Sequence, residues 1–308
     1  MSVVHNSSPR ARPSVVGRFR TLWTYRELLV GMVRKDLRVR YKGTTLGFLW
    51  SMLNPLLYLG VFYVVFQLIL GAGIPQFPVF LLSGLLVWNV ISNGISAATG
   101  SITGNQSLVN KVWFPREILP LASVGATLVH FFLQGAVLVG VLIVIRYDIA
   151  WSYLWLVVPA FVVLVTLTSA LAVLLSAANV YLRDTQHLLE LVLLAWFWLT
   201  PIVYQPRLQS DLVATRSWMP DWSWLLNPAT PLVLTFQRAI YGQVEVEAVG
   251  NVDPARPTVI VMNGILPAGV DQWWYLRNLA ILGATSVVLL AVALAVFGRV
   301  EGDFAEEL

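Results

Sequence analysis

From Leu46 to Leu70 no side chain is charged at neutral pH, and this run follows almost directly on R-K-D-L-R-V-R-Y-K, residues 34–42, which holds five cations and one acid. At ~1.5 Å of rise per residue, a helix over the uncharged run exceeds the ~30 Å hydrocarbon core of a bilayer. A chain containing such a segment is confined to few folds, and a bundle of membrane-spanning helices is the first of them. Arg34, Lys35, Arg38, Arg40 and Lys42, opposed only by Asp36, place the N-terminal side in the cytoplasm by the positive-inside tendency. The orientation of every later segment follows from that.

A composition of 57% hydrophobic and 12% charged residues, with mean hydropathy +0.73, does not furnish a water-soluble surface for 308 residues. Ten of the twenty Lys and Arg lie before residue 43, a clustering that suits anionic headgroups better than nucleic acid, which calls for a basic face on a soluble module. Cysteine is absent, so disulfides and thiolate metal sites are excluded. Arginine far outnumbers lysine beside abundant Ala and Val, a bias of GC-rich bacterial genomes. Leu28 to Val33 is too short and too flanked by charge for a cleavable signal, so the first span is expected to direct its own insertion.

Residues 1–16 lack periodicity and are expected to be disordered. Over 17–42 an apolar stripe of Phe19, Leu22, Trp23, Val30, Val33, Leu37 and Tyr41, interrupted by Arg26 and flanked by Arg20, Arg34, Lys35 and Arg38, predicts an interface helix on the cytoplasmic leaflet; a soluble helix packed on a partner is the alternative. The remainder, 43–308, reads as one transmembrane domain with spans at about 46–70, 77–99, 117–145, 153–178, 188–204 and 276–298. Six spans put both termini in the cytoplasm. Lys111, Arg116 and Arg183 fall in the cytoplasmic loops, while the external turns are uncharged around Gly71 to Pro78 and carry only Arg146 and Asp148 further on. Residues 205–275 are too polar to span; within them Asn227 and Pro228 open an amphipathic helix of about three turns, one part of an expected re-entrant or interfacial pair with a polar insertion over 242–257. The predicted fold class is therefore an all-α polytopic membrane protein of six transmembrane helices. No internal repeat is visible, which disfavours inverted-repeat secondary transporters.

Almost nothing ionises inside the spans, His130, Glu190 and Arg277 being the main exceptions, whereas ion-coupled carriers bury such groups along their pathway. No G-x-x-x-x-G-K-[ST] is present to cradle nucleotide phosphates, so an ATPase on another chain is one way to supply energy. Asp184, His187 and Glu190 in R-D-T-Q-H-L-L-E suggest an acid–base or metal cluster, but helix capping by Asp184 and dipole stabilisation of Glu190 explain them more simply. His130 reads as an interhelical hydrogen-bond donor. Residues 104–117, G-N-Q-S-L-V-N-K-V-W-F-P-R-E, form a connector with helical content, Pro115 standing at the first turn of the next span. Tyr58, Phe62 and Phe66 in the first span, and Trp196, Phe197 and Trp198 in the fifth, could stack on the apolar faces of sugars or serve as packing and lipid-interface rings.

Six stretches together resemble the membrane subunit of ABC-2 type polysaccharide exporters, the Wzm-like group that includes O-antigen and teichoic-acid permeases. They are R-K-D-L-R-V-R-Y-K-G-T-T-L-G-F-L-W-S-M-L-N-P-L, N-K-V-W-F-P-R-E-I-L-P, Y-L-R-D, T-P-I-V-Y, L-N-P and the terminal F-G-R-V-E-G-D-F-A-E-E-L, so the resemblance runs from about Leu28 to the C-terminus. It implies a homodimeric half-transporter in a bacterial inner membrane, paired with two copies of an ABC ATPase that holds the ATP and magnesium. The chain itself would need no cofactor, metal or catalytic residue and would bind no nucleic acid. By the same resemblance, residues 104–115 are the coupling helix, with Asn105, Ser107, Lys111, Trp113, Arg116 and Glu117 facing the ATPase, and 205–275 hold external gate helices with Asn227, Pro228 and Arg238. The implied cargo is a polyprenyl-pyrophosphate-linked glycan, a cell-wall galactan or O-antigen-like polymer, its head met by Arg34, Lys35, Arg38, Arg40 and Lys42 and its sugars by Tyr58, Phe62, Phe66, Trp196 and Trp198. An ABC-2 exporter of a drug or lipid, a membrane-embedded glycosyl- or acyltransferase using Asp184, His187 or Glu190, and an ion-driven carrier are the rival readings. The insertion from Val244 to Pro257 is longer than the resemblance leads one to expect.

Overall fold

Backbone amides within a bilayer must find partners inside their own segment, and this chain meets that demand with helices. The structure, a computed structural model, describes residues 15–43, 49–71, 74–216, 220, 222–242, 246–250, 258–262, 265–267 and 269–307. The expectation of disorder at 1–16 falls mostly outside these, as does the entry of the first predicted span at 46–48.

Where one interface helix is predicted, two follow each other, α1 (Val15–Thr24) and α2 (Arg26–Tyr41), joined at Tyr25. Rather than lying free on a surface, α2 rests against α6 (Ile118–Val144). Gly125 makes that approach possible, since a Cβ there would stand 2.8 Å from the Val33 Cγ2. Next, α3 (Leu49–Phe62) contains Pro55 and passes directly into a π-helical stretch, Tyr63–Ile69. Then come α4 (Phe77–Thr99), the short α5 (Gln106–Lys111), α6, α7 (Trp151–Leu154), α8 (Val157–Tyr181) and α9 (Thr185–Trp198).

Among the described residues four helical stretches are long and apolar enough to cross a membrane: Phe77–Thr99, Ile118–Val144, Trp151–Tyr181 and Gln272–Val300, the last being α12. Pro55–Ile69 is a shorter apolar helix. The span predicted at 188–204 is realised as α9, which begins earlier and stops at Trp198, because Thr200 and Pro201 turn the chain away. Its 14 residues rise only ~21 Å, less than a hydrocarbon core.

The centre of the bundle is α4, buried along most of its length, with α6 and α8 beside it and α12 packed along α8. Beyond α9, the chain forms α10 (Arg207–Ala214), a tight turn at Ser223–Leu226, and α11 (Ala229–Ile240). The amphipathic pattern of α11 predicts an exposed face, yet Ala229 to Gln237 are all buried. Neighbours α4, α8 and α12 surround it, and two of its polar groups are met internally: Thr235 Oγ1 donates to Pro231 O at 2.7 Å and Gln237 Nε2 to Pro201 O at 3.1 Å, while Thr230 Oγ1 and Gln237 Oε1 are buried without a hydrogen bond among the described residues. An antiparallel pair has β1 (Val246–Gly250) inside the insertion and β2 (Thr258–Met262) just after it, with Val246 opposite Met262 and Gly250 opposite Thr258; residues 243–245 and 251–257 of the insertion lie outside the described residues. This departs from the all-α expectation, and its cause is the β-branched content of T-V-I-V-M and its partner strand. The chain closes with α13 (Phe304–Glu307), Phe304 standing edge-on to Phe297 at 5.3 Å.

Candidate functional site

Three helices with different burial meet along an aromatic groove. Tyr58 and Phe62 on α3 and Phe66 in the π-helical stretch after it recur every four residues, with ring centroids 6.0 Å apart at each step. Phe62 also stacks on Phe197 of α9 at 5.9 Å, and Trp198 meets Phe62 edge-on at 6.5 Å. From α4, Trp88 reaches across to Phe197 at 5.6 Å. An open groove of ≈380 Å³ lies between them, lined by Tyr58, Phe62, Trp88, Phe197 and Trp198 together with Asn89, Ser92, Asn93 and Glu190.

Of the rings expected to meet sugars, Tyr58, Phe62 and Trp198 line this groove. Phe66 instead stacks on Phe77 at 6.4 Å, and Trp196 turns its indole Nε1 to Asn227 Oδ1 at 2.6 Å, so neither belongs to the lining. Trp88, Asn89, Ser92 and Asn93 escaped the sequence reading. Their signal was Asn89, Ser92 and Asn93 falling together on one helical face beside Trp88. Asn89 is held by Gln134 of α6, donating from Nδ2 to Oε1 at 3.0 Å. Flat rings opposite amides, a hydroxyl and a carboxylate can stack on C–H faces and hydrogen-bond hydroxyls, the two demands a pyranose makes.

Asp184, His187 and Glu190 are all exposed, and Asp184 occupies the N-cap of α9 without a side-chain capping bond, contrary to the capping expectation; its backbone there is already helical, which turns the carboxylate from the first amides. Among the described residues no three His, Asp or Glu side chains gather as a metal site.

At the basic end of the bundle all five cations are exposed, Arg34, Lys35, Arg38 and Arg40 on α2 and Lys42 just after it; Lys35 donates to Asn105 Oδ1 and Arg40 stands 3.3 Å from His130 Nε2. Burial raises the Asp36 carboxyl above its ordinary range, against the pull of Lys35 and Arg40. The connector is a 3₁₀ turn at Thr103–Asn105, the six residues of α5, and an extended Val112. Ser107, Lys111, Val112 and Trp113 are exposed on it. Arg116 and Glu117 point elsewhere: Arg116 donates to the Glu301 carbonyl and lies 5.9 Å from the Phe304 ring centroid, while Glu117 is buried.

Glu117 belongs to a clasp that the sequence did not announce. Arg18 of α1, itself buried, donates through Nη1 to Glu117 Oε1 at 3.1 Å and through Nη2 to Glu301 Oε1 at 2.7 Å. Gly298 gives the guanidinium room, for a Cβ there would collide with it. Burial first, and then the Glu301 carboxylate, hold the Glu117 carboxyl above its usual range although a backbone hydrogen bond and Arg18 pull it down. Three distant segments are fastened together by these two bonds.

The opposite end is tied without an ion pair among the described residues. Asn227 accepts from Trp196 Nε1 and from Ala229 N at 3.0 Å, and donates to Leu199 O and Thr200 Oγ1, both at 3.0 Å, so it joins the end of α9 to the start of α11. Pro228 follows it at the helix entry. Arg238, in the last turn of α11, lies 4.2 Å from the Tyr153 ring centroid and donates to Gly242 O at 2.5 Å. Tyr241, whose phenol is buried, donates to Pro75 O at 2.9 Å.

Residues 27–235 match the family described as ABC-2 type transporter. The O-antigen export system permease protein RfbA of Myxococcus xanthus is 32% identical over 291 residues, covering 94% of this chain and 98% of that protein. A protein of the same name from Klebsiella pneumoniae is 28% identical over 284 residues, covering 92% and 95%. The polysialic acid transport protein KpsM of Escherichia coli is 35% identical over 78 residues, 25% of this chain and 30% of that one.

Proposed function

The chain belongs to the ABC-2 type transporter family as a Wzm-like permease, and from that premise we propose that it is the transmembrane half of an ATP-driven exporter of a polyprenyl-pyrophosphate-linked polysaccharide. The observation that carries the reading is the groove between α3, α4 and α9, where flat rings face amides. Ring stacking contributes ~0.5–1.5 kcal/mol beyond burial and tolerates any sugar with an apolar face, so a polymer held this way can still move. Proteins similar to this chain over nearly its whole length are named for O-antigen export, and one similar over a shorter stretch for polysialic acid transport. Export of a glycan is the reading these names support, with a cell-wall galactan as the first substrate to try.

In this reading two copies of the chain face each other across their grooves, six spans cross the inner membrane with both termini in the cytoplasm, and two ATPase copies seat on the connector. Ser107, Lys111 and Trp113 are its exposed contacts; Arg116 and Glu117 fasten it from behind. Arg34, Arg38 and Lys42 meet the pyrophosphate head. Asn227, Pro228 and Arg238 form the inner wall of the outer gate. Reconstitution with the ATPase in nanodiscs tests the whole. Lipid-linked glycan should stimulate ATP hydrolysis, and Phe62→Ala combined with Trp198→Ala should remove most of that stimulation while leaving the basal rate. Equal stimulation in the double variant would sink the groove as the glycan path.

A further inference from the structure

The aromatic groove is not the only opening. At the end of the bundle remote from α2, a second groove of ≈640 Å³ runs between the Ser223–Leu226 turn, the start of α11 and the first half of α12. Its volume lies within the ~300–1,000 Å³ typical of small-molecule sites. Trp222, Leu226, Pro231 and Ile281 make its walls apolar, and Arg277 and Asn278 stand at its rim.

Depth identifies what fits. Near the C-terminal end of α12, Gly298 packs under Arg18, so Gln272 begins the helix at the opposite side of the membrane. Its 29 residues rise ~43 Å against a ~30 Å hydrocarbon core, which leaves the first turns at headgroup level. A belt of rings marks that level: Trp273 is 71% exposed, Trp151 is 70% exposed, Trp155 Nε1 donates to Gln272 Oε1 at 3.0 Å, and Trp224 stacks on Trp274 at 6.4 Å. Arg277 lies one turn further in, where a guanidinium meets lipid phosphate, and Ile281 lies one turn deeper again, where acyl chains begin.

Arg277 is exposed, and among the described residues it has no hydrogen bond or ion pair; both ion pairs found there involve Arg18 at the other end. Asp271, the acid nearest in sequence, caps its own helix by accepting from Trp274 N at 3.0 Å. A second copy of an apolar helix laid into the groove would leave the guanidinium desolvated and unpaired, which is costly. An anionic head above two hydrocarbon tails satisfies both halves of the site.

We propose that this groove binds one phosphate-bearing glycerolipid from the leaflet at that end, its phosphate on Arg277 and an acyl chain along Trp222, Leu226 and Ile281. The site is separate from the glycan groove and would hold its lipid whatever the cargo.

The test is native mass spectrometry of the full-length chain, stripped of lipid and titrated with dioleoylphosphatidylglycerol. One lipid per copy should bind above background. Arg277→Gln should weaken it roughly five-fold, the loss expected of one cation–headgroup contact, and Arg277→Lys less than two-fold. Arg299→Gln, at the far end of α12, should change nothing. Dioleoylglycerol, which has the same tails without phosphate, should not compete. Because Arg277→Gln could alter folding, Ile281→Trp supplies a second measurement: it fills the groove with Arg277 intact and should also lower binding. Undiminished binding in Arg277→Gln, or competition by dioleoylglycerol, overturns the proposal. So does disulfide formation between copies bearing Ile281→Cys, which would show a second copy seated there, or preference above ten-fold for undecaprenyl phosphate, which would make the groove a carrier-lipid site instead.

Discussion

The two ends of the bundle are fastened by different chemistry. Near α2 the fastening is ionic: one buried guanidinium holds two carboxylates that belong to the start of α6 and to the residue after α12. At the other end the same work of joining non-adjacent segments falls to an amide, Asn227, with four hydrogen bonds to neutral partners. A charged tie is strong only while every charge is matched, since stripping one partner leaves the rest desolvated. A neutral tie loses its bonds a few at a time and has no pH or salt dependence to reveal. Damage at the two ends should therefore differ in size and in its response to pH.

The largest effect belongs to Arg18. Arg18→Gln leaves Glu117 and Glu301 without the cation they share and should destabilise the chain by about 3 kcal/mol or more, read as a fall in thermal unfolding temperature in detergent. Glu117→Gln should cost less than half as much, because Arg18 keeps Glu301 and because Glu117 already has a raised carboxyl pKa that disfavours its charge. The sign follows from that direction: a carboxyl raised in the folded state contributes stability below its unfolded pKa, near 4.5, and loses it as pH rises through the folded value. Acidification should therefore partly restore Arg18→Gln, where two carboxyls can share a proton, and should not restore Asn227→Ala. Equal pH profiles for the two variants would erase the distinction between the ends.

Asn227→Ala comes next, at about 2 kcal/mol, several neutral bonds being lost at ~0.5–1.5 kcal/mol each with partial replacement by water. Salt between low and moderate ionic strength should leave this loss unchanged.

The sequence disclosed one end better than the other. Asn227 and Pro228 announce a helix start locally, and the structure has α11 begin at Ala229. Arg18 pairs with residues 99 and 283 positions away, and nothing in its neighbourhood distinguishes it from Arg20, which is exposed. Periodicity finds helices and their apolar faces, but it does not say which apolar face finds a neighbour. That is why α11 reads as half-exposed and is buried, why Trp196 and Phe66 read as lining and are packing, and why the α9 segment reads as longer than the helix that Thr200 and Pro201 allow. The polar ridge of Asn89, Ser92 and Asn93 was visible as letters; its meaning depended on α3 and α9 arriving beside it.

The connector separates fastening from signalling at the basic end. Lys111 is exposed and Arg116 is bonded to Glu301, so reversing both charges would confound coupling with collapse of the clasp. Lys111→Glu alone should leave the unfolding temperature within about 1 °C, a surface change of less than ~0.5 kcal/mol, and still lower glycan-stimulated hydrolysis several-fold. Normal stimulation would remove Lys111 from the ATPase contact.

The smallest effect on folding is expected at the basic collar, and there the structure narrows the test. Of its five cations Lys35 is taken by Asn105 and Arg40 stands beside His130, so their loss would disturb the packing of α2 as well as any ligand. Arg34, Arg38 and Lys42 are exposed on the same short stretch. An exposed cation near a charged surface contributes ~1 kcal/mol, screened within a Debye length of ~8 Å at physiological salt. Arg34→Gln with Arg38→Gln should therefore weaken the apparent affinity for a pyrophosphate-linked glycan roughly ten-fold at low salt and only a few-fold at physiological salt, with unfolding temperature and insertion unchanged, because three cations still hold orientation. This sharpens the comparison between the ends, since here charge acts without burial and its signature is salt dependence rather than loss of fold. A double variant that keeps full affinity at low salt would mean that the collar serves orientation alone, and the ionic character of this end would then rest wholly on Arg18.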